Sequence, residues 1–439
     1  MKRAVSRLLS EYGMILVLLG LCAFFSVVTY REQSPSGVAA GRQLASAIMA
    51  EFAGSPRVLV VVRDLPDDKA MAEQMRRDLN AAGAGVLDVV RGEPRDAREA
   101  LHKLAANGNT LDVVAATQTT GDWLVFSDMS ADYPTIGKPR VMTPQSYRWP
   151  SFLKSDNLLN IANQIAVIAI VAIGMTIVII TGGIDLSVGS LIALSAVLAA
   201  TFIRDIAGGV NASPLGMTAS CVVAIALCGL IGAFSAAMIT RFGIPPFIVT
   251  LAMMLVCSGL AYIASKGQSI YEIPASFVWL GRRADILGIP NAVALMLVLY
   301  GLAHVLMSRM RLGRYLYAVG GNREAARLSG VPVERVLMFA YVASALLAAI
   351  GGVIMASQLK SGSPTYGTMY ELYVIAAAVV GGAALSGGVG KMFGTLTGAF
   401  TIAVIQNGMN LTNIESYTQK VVLGLVILGA VLVDRIRSR

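Results

Sequence analysis

One carboxylate stands among long apolar runs. Residues 181–190 read TGGIDLSVGS, preceded by NQIAVIAIVAIGMTIVII and followed by LIALSAVLAATF, so Asp185 and three glycines interrupt a stretch otherwise suited to hydrocarbon. Inside a bilayer every backbone N–H and C=O must be bonded, and a break is tolerated only where protein or a water-lined cavity satisfies it. Gly182 and Gly183 suit a helix stop, because glycine takes positive φ at no steric cost. Asp185 then stands just ahead of a restarting helix, where its carboxylate can accept from free N–H groups as an N-cap and meets the positive end of the helix dipole. The plain expectation is a re-entry corner at the cytoplasmic face. A sharper alternative has Asp185, Ser187 and Ser190 lining a solute route, as broken helices do in many transporters, and a proton-coupling acid is the third.

A second stretch echoes the first. VVGGAALSGGVGK at residues 379–391 shares GG-x-x-LS with the earlier corner, with two extra residues before V-G and Ala384 where the acid stood. It reads as a similar corner, and it is no nucleotide loop: a P-loop ending at Gly390 and Lys391 needs glycine at 385 and Ser or Thr at 392, where this chain has Leu385 and Met392.

The elements that must position these residues follow from composition. The 439 residues are 56% hydrophobic and 14% charged, with mean hydropathy +0.68, which excludes an ordinary soluble domain. A helical crossing needs roughly 20 apolar residues, and the short alternating segments of an outer-membrane barrel are absent. Apolar segments fall near residues 13–30, 158–180, 186–203, 215–239, 247–264, 292–307, 336–356, 372–385, 393–404 and 421–433. The expected fold is therefore an all-α polytopic membrane protein of about ten transmembrane helices. The basic start MKRAVSRLLS followed by an apolar run resembles a signal peptide, but YREQSPSGVAAG offers a poor cleavage site, so the first span is expected to be retained. The four cysteines lie within apolar runs without metal-ligand spacing and read as small buried hydrophobes.

An even number of crossings places both termini on one side. With the N-terminus cytoplasmic, inner loops carry Lys2, Arg3, Arg7, Arg241, Arg309, Arg311, Arg314, Arg323, Arg327, Arg335, Lys391, Arg435, Arg437 and Arg439. The short outer loops carry half as many, which favours this orientation. Residues 1–30 are then the first span and residues 31–150 a nearly neutral soluble insert on the extracytoplasmic side. The remainder, 151–439, is the main transmembrane domain, with a cytoplasmic loop at 311–335. The insert alternates strand and helix: RVLVVVR, a helix over 67–83, VLDVV, a helix near 95–107, and TLDVVAA, which argues for a small, mostly parallel α/β sheet. VVRDLPDD lacks a phosphate-binding glycine fingerprint, and a docking or stabilising role, ligand sensing and an inert insertion all remain open for this unit.

Energy coupling narrows the function. Proton-coupled carriers need titratable groups at mid-membrane, whereas here Glu371, Lys360, Lys391, Lys420 and His304 fall at or near expected span ends. His304 reads as a packed interfacial side chain. With few coupling residues and no motor motif, a pore-forming bundle would draw its energy from a partner. In the loop RLGRYLYAVGGNREAARLSGVPVERV, Asn322 can cap a short polar helix made of Arg323, Glu324, Ala325, Ala326, Arg327, Leu328 and Ser329, with Gly330 at its end and Pro332 beyond. It reads as a lever for an ATPase groove or, alternatively, as an amphipathic connector on anionic lipid. Gln406 and Asn407 could line a pore and meet hydroxyls, though interhelical bonding is the simpler use.

Three stretches together support a family resemblance over residues 157–437: DNLLNIANQIAVIAIVAIGMTIVIITGGIDLSVGS, LGRYLYAVGGNREAARLSGV and ALSGGVG-x-x-x-GTLTGAF. They resemble the ribose-type permeases of ABC importers, the branched-chain amino acid and ribose permease family. The resemblance implies a multi-pass subunit of the bacterial cytoplasmic (inner) membrane that moves a monosaccharide inward and is not itself an enzyme. Implied partners are a cytoplasmic ATP-binding-cassette ATPase subunit, an extracytoplasmic solute-binding protein, a second permease copy and the lipid bilayer. It places the coupling element at residues 322–330. No catalytic residue, cofactor, metal or nucleic-acid partner is expected. Residues 31–150 depart from the family pattern, which has only a short loop there, and so alter the face on which a binding protein would dock. Rival expectations are an ion-coupled secondary sugar carrier and a membrane receptor whose insert binds a ligand.

Overall fold

The computed structural model describes residues 2–52, 54–286 and 288–437 and forms two compact units, Tyr30–Ser151 and the remainder of the chain. After helix α1 (Lys2–Val28), the smaller unit opens on β1 (Tyr30–Gln33), which pairs antiparallel with β6 (Tyr147–Pro150). This ribbon joins the two ends of the unit, and Arg31 and Gln33 both donate to the Ser151 hydroxyl, at 2.8 and 2.7 Å.

Within that frame lie α2 (Gly37–Glu51), β2 (Arg57–Val62), α3 (Pro66–Ala81), β3 (Gly85–Arg91), α4 (Pro94–Ala106), β4 (Val113–Ala116) and β5 (Arg140–Met142). The four inner strands form a parallel sheet in the order β3-β2-β4-β5. The run RVLVVV is apolar throughout because β2 is central and covered on both faces. Val58, Val60 and Val62 meet Leu44 and Ile48 of α2 and Met71 and Met75 of α3, while Leu59 and Val61 meet Leu101 and Leu104 of α4. Three features lie beyond the sequence reading: α2, the closing ribbon, and β5, whose three residues are too few to show alternation.

The larger unit continues with α5 (Ser155–Ile180), α6 (Val188–Asp205), α7 (Pro214–Arg241), α8 (Pro246–Ser265), α9 (Asn291–Arg309), α10 (Arg311–Gly321), α11 (Arg323–Leu328), α12 (Val333–Leu359), α13 (Tyr370–Val380), α14 (Met392–Leu411) and α15 (Ser416–Arg437). Six of these, α5 to α9 and α12, are long and apolar enough to cross a membrane, and shorter apolar helices accompany them. The unit is an all-α polytopic membrane protein. Its outer surface is apolar, with Leu230, Leu255 and Leu302 largely exposed on α7, α8 and α9.

Helix α12 is the axis of the bundle. Hydrocarbon tails give no hydrophobic drive between helices, so close approach depends on small residues. A Cβ on Gly174 of α5 would lie 2.7 Å from the Ser344 Cα, and one on Gly232 of α7 would lie 2.8 Å from the Tyr341 carbonyl oxygen. Gly352 of α12 is pressed against Ile192 and Ser195 of α6 in the same way.

Candidate functional site: a junction of broken helices

Helix α5 stops at Ile180 because Gly182 adopts φ of 77°, which a side chain would resist. The chain then climbs back beside α5. Gly183 passes so close to the Tyr341 hydroxyl that no Cβ could be fitted, and Asp185 reaches Ser344 of α12. Ser344 is level with Gly174, about 9 Å before the end of α5 at 1.5 Å per residue. Only the Gly182 turn is therefore at the end of the bundle. Asp185 is 2% exposed and lies inside it, which corrects the expectation that the whole stretch is a corner at the membrane face.

Asp185 is also not the N-cap. Helical geometry begins at Val188, and Ser187 occupies the position before it. One carboxylate oxygen accepts the Ser187 N–H at 3.0 Å and the Ser187 hydroxyl at 2.6 Å; the other accepts the Ser344 hydroxyl at 2.8 Å. The acid thus ties the break to the central helix. Ser190 donates back to the Ser187 carbonyl at 2.8 Å, and Thr250 of α8 donates to the Ile184 carbonyl at 3.2 Å. The Tyr341 hydroxyl is buried without a partner.

The second glycine corner, between α13 and α14, docks on the first. Gly388 donates its N–H to the Ile180 carbonyl at 2.8 Å, and a Cβ on Gly387 would stand 2.8 Å from the Gly320 carbonyl oxygen and 3.0 Å from the Gly182 nitrogen. Gly320, near the end of α10, completes the contact: its own Cβ would collide with the Ile180 carbonyl and lie 2.7 Å from the Gly388 nitrogen. Tyr317 of α10 donates to the Gly390 carbonyl at 2.7 Å. Three turns from distant parts of the chain therefore share one backbone-to-backbone junction.

Helix α11 leaves directly from this junction. Asn322 accepts the Ala325 N–H at 2.9 Å and caps the helix, while Gly330, at φ of 81°, ends it. Ala326 faces inward and is buried. Arg323, Glu324, Ala325, Arg327, Ser329 and Gly330 are exposed, and Leu328 is 89% exposed.

Other sequence candidates lie elsewhere. Asn407 exchanges two hydrogen bonds with Asn157, at 2.9 and 3.0 Å, so its amide ties α14 to α5; Gln406 beside it is half-buried. Both are remote from the junction at the start of α14. His304 packs its ring on Phe393, 4.7 Å between centroids. Glu371 lies in the first turn of α13 with its carboxylate against Gly189, in the first turn of α6. Tyr317, Gly320, Tyr341 and Ser344 carry no sequence signal of a role in this junction, and Gly387 and Gly388 show only as part of the second glycine corner.

A bundle with internal helix breaks meeting at one end, and apolar outside, is the architecture of a membrane permease. The chain belongs to the family described as the branched-chain amino acid transport system permease component, which matches residues 157–431. It is 42% identical over 289 residues to the ribose import permease protein of Escherichia coli (strain K12), covering 65% of this chain and 87% of that relative. Identity is again 42% over 290 residues with the ribose import permease protein of Bacillus subtilis (strain 168), covering 66% and 88%. It is 38% over 293 residues with the L-arabinose transport system permease protein of Escherichia coli (strain K12), covering 66% and 86%. No solved structure matches the chain. The matched region begins after the Tyr30–Ser151 unit, which lies outside it.

Proposed function

We propose that this chain is the permease subunit of an ATP-driven importer of a monosaccharide or similar small polar solute, resident in the bacterial cytoplasmic membrane with both termini inside. The relatives named for ribose and arabinose support the solute class. The excess of Lys and Arg in the loops on the α10–α11 side supports the orientation. On that reading Tyr30–Ser151 is extracytoplasmic, on the face that receives a solute-binding protein, and two copies of the chain enclose the route.

The observation that carries the coupling mechanism is the seat of α11. An ATPase subunit that grips residues 322–330 pulls on Gly320, and Gly320 touches the backbone of both broken segments at Ile180 and Gly388. A movement of α11 therefore reaches the α5–α6 break and the α13–α14 break together, with no long flexible link between. Interfaces of packed backbone transmit displacement because they cannot deform continuously.

The test is the paired charge reversal Arg323→Glu with Arg327→Glu, assayed in vesicles containing the permease, its ATPase subunit and its binding protein. Uptake of D-ribose or L-arabinose is expected to fall at least about tenfold with membrane insertion unchanged, as loss of a charged docking contact of about 1.4 kcal/mol or more requires. Wild-type coupling in that variant would overturn the assignment.

A further inference from the structure

Between α12 and α13 the chain is not helical, and it does not stay at the end of the bundle. Gly362 packs on Ala196 and Ala200 of α6, whereas Gly367, five residues on, packs on Gly189 and Ile192. The stretch thus descends along α6 from the middle of that helix to its first turn, about 10 Å along the axis at 1.5 Å per residue. Gly367 and Met369 both have positive φ, 69° and 66°, and for methionine that is an unusual conformation held by its surroundings.

Many of its side chains are polar, and Thr365, Thr368 and Met369 are exposed. Ser361 and Ser363 are buried; Ser361 bonds Tyr366 through their hydroxyls, and Ser363 lies 3.0 Å from the Thr365 hydroxyl. The Thr368 hydroxyl donates to the Thr365 carbonyl at 2.7 Å and keeps its lone pairs free to accept, and Glu371 is half-buried beside Gly189. At its upper end Gly362 exchanges backbone hydrogen bonds with Ile270, at 2.8 and 2.9 Å. Ile270 also lines a polar cleft of about 390 Å³ with Arg204, Gln268, Tyr271 and Glu272. Polar groups at Ser361, Ser363, Thr365, Thr368 and Glu371 therefore recur between this cleft and the first turn of α13, with Met369 exposed among them.

Lipid cannot cover that surface. Irregular backbone and open hydroxyls at membrane depth persist only where they are buried in protein or face water. The exposed faces of α7, α8 and α9 are apolar, whereas residues 361–371 expose Thr365 and Thr368 beside Met369. We propose that this stretch is the wall of an aqueous solute route, with Thr365, Thr368 and Glu371 as the groups that meet the hydroxyls of a neutral polyhydroxyl solute. A carboxylate accepts two hydroxyl bonds and a threonine hydroxyl both donates and accepts, which suits a sugar better than an ion. The assignment rests on the importer reading for the solute, but not for the presence of water.

The experiment introduces single cysteines, Thr365→Cys and Thr368→Cys, into the full chain in vesicles with its partner subunits. Each is exposed to a membrane-impermeant charged thiol reagent. Leu255→Cys, on the apolar exterior, is the control, and the unmodified chain with its four native cysteines gives the background. Labelling at 365 and 368 is expected to exceed that at 255 by at least about tenfold, since the thiolate reacts only where water reaches it. Labelling no faster than the control would overturn the proposal, whether lipid or a second copy covers the stretch. Slowing by D-ribose supports contact with that solute; fast labelling indifferent to D-ribose supports the aqueous wall and counts against D-ribose alone. As a second readout, Glu371→Gln is expected to raise the KM for uptake about tenfold while leaving labelling at 365 intact. An unchanged KM would remove Glu371 from the contact set.

Discussion

Replacing Gly320 by alanine tests the junction with a single methyl group. The added carbon would overlap the Ile180 carbonyl oxygen and sit 2.7 Å from the Gly388 nitrogen and 2.8 Å from the Ile180 carbonyl carbon. All three are backbone atoms, so no side chain can swing away and the segments themselves must part. Overpacking of this kind costs about 1–3 kcal/mol. Parting also lengthens the 2.8 Å bond from Gly388 to Ile180, and a buried bond left unmade adds about 1–3 kcal/mol. The expected destabilisation is thus about 2–6 kcal/mol. Gly321→Ala is the built-in control, since a Cβ there meets nothing within 4 Å and the backbone is not left-handed. Thermal unfolding of the purified chain should show a large loss for Gly320→Ala and almost none for Gly321→Ala. ATP-dependent uptake in vesicles with the partner subunits should follow the same order, falling at least about tenfold only for the former. Equal behaviour of the two variants in both assays would refute the claim that α11 is seated on the helix breaks.

Three further outcomes follow from the same geometry. Asp185→Ala strips the acceptors from Ser187 and Ser344 and should destabilise by about 2–4 kcal/mol in thermal unfolding, well above the ~1 kcal/mol of a simple cap; a loss below about 1 kcal/mol would contradict the tie to α12. Asn322→Ala removes one cap from an exposed helix and should cost about 1 kcal/mol locally, read as faster hydrogen exchange across residues 325–328 with global unfolding unchanged. In the Tyr30–Ser151 unit, the Asp112 carboxyl is held below its usual range by the side-chain hydrogen bond from Arg57. A depressed carboxyl stabilises above the ordinary carboxylate range and loses that contribution as pH falls through its folded value. Both partners are partly exposed, so the effect is small. Asp112→Asn should flatten the acid-side dependence of protease resistance in this unit, and an unchanged dependence would rule the pair out as its source.

How much of this was legible in the sequence depended on how local each signal is. The insert's central strands showed because RVLVVV and VLDVV are β-branched runs bounded by helix stops, while β5 is too brief to carry a pattern. Asn322 showed as a cap because capping is decided within four residues. The long spans showed by apolar length alone. The depth of the breaks did not, because Asp185 is placed by Ser344, a residue distant in the chain whose type is unremarkable by itself. Residues 372–385 read as an apolar span, yet α13 runs only from Tyr370 to Val380 and the preceding descent is fixed by Gly362 and Gly367 fitting on α6. The similarity of the two glycine corners was visible, but their mutual contact is a property of the packed bundle.

The central claim is that this bundle moves solute only when an external engine acts through α11. Its most direct measurement is accumulation of D-ribose in sealed vesicles containing the purified chain alone, and then the chain with its ATPase subunit and binding protein. No concentration above the outside level is expected in the first case, with or without an ion gradient, and ATP-dependent concentration in the second. Accumulation against a gradient by the chain alone would contradict it.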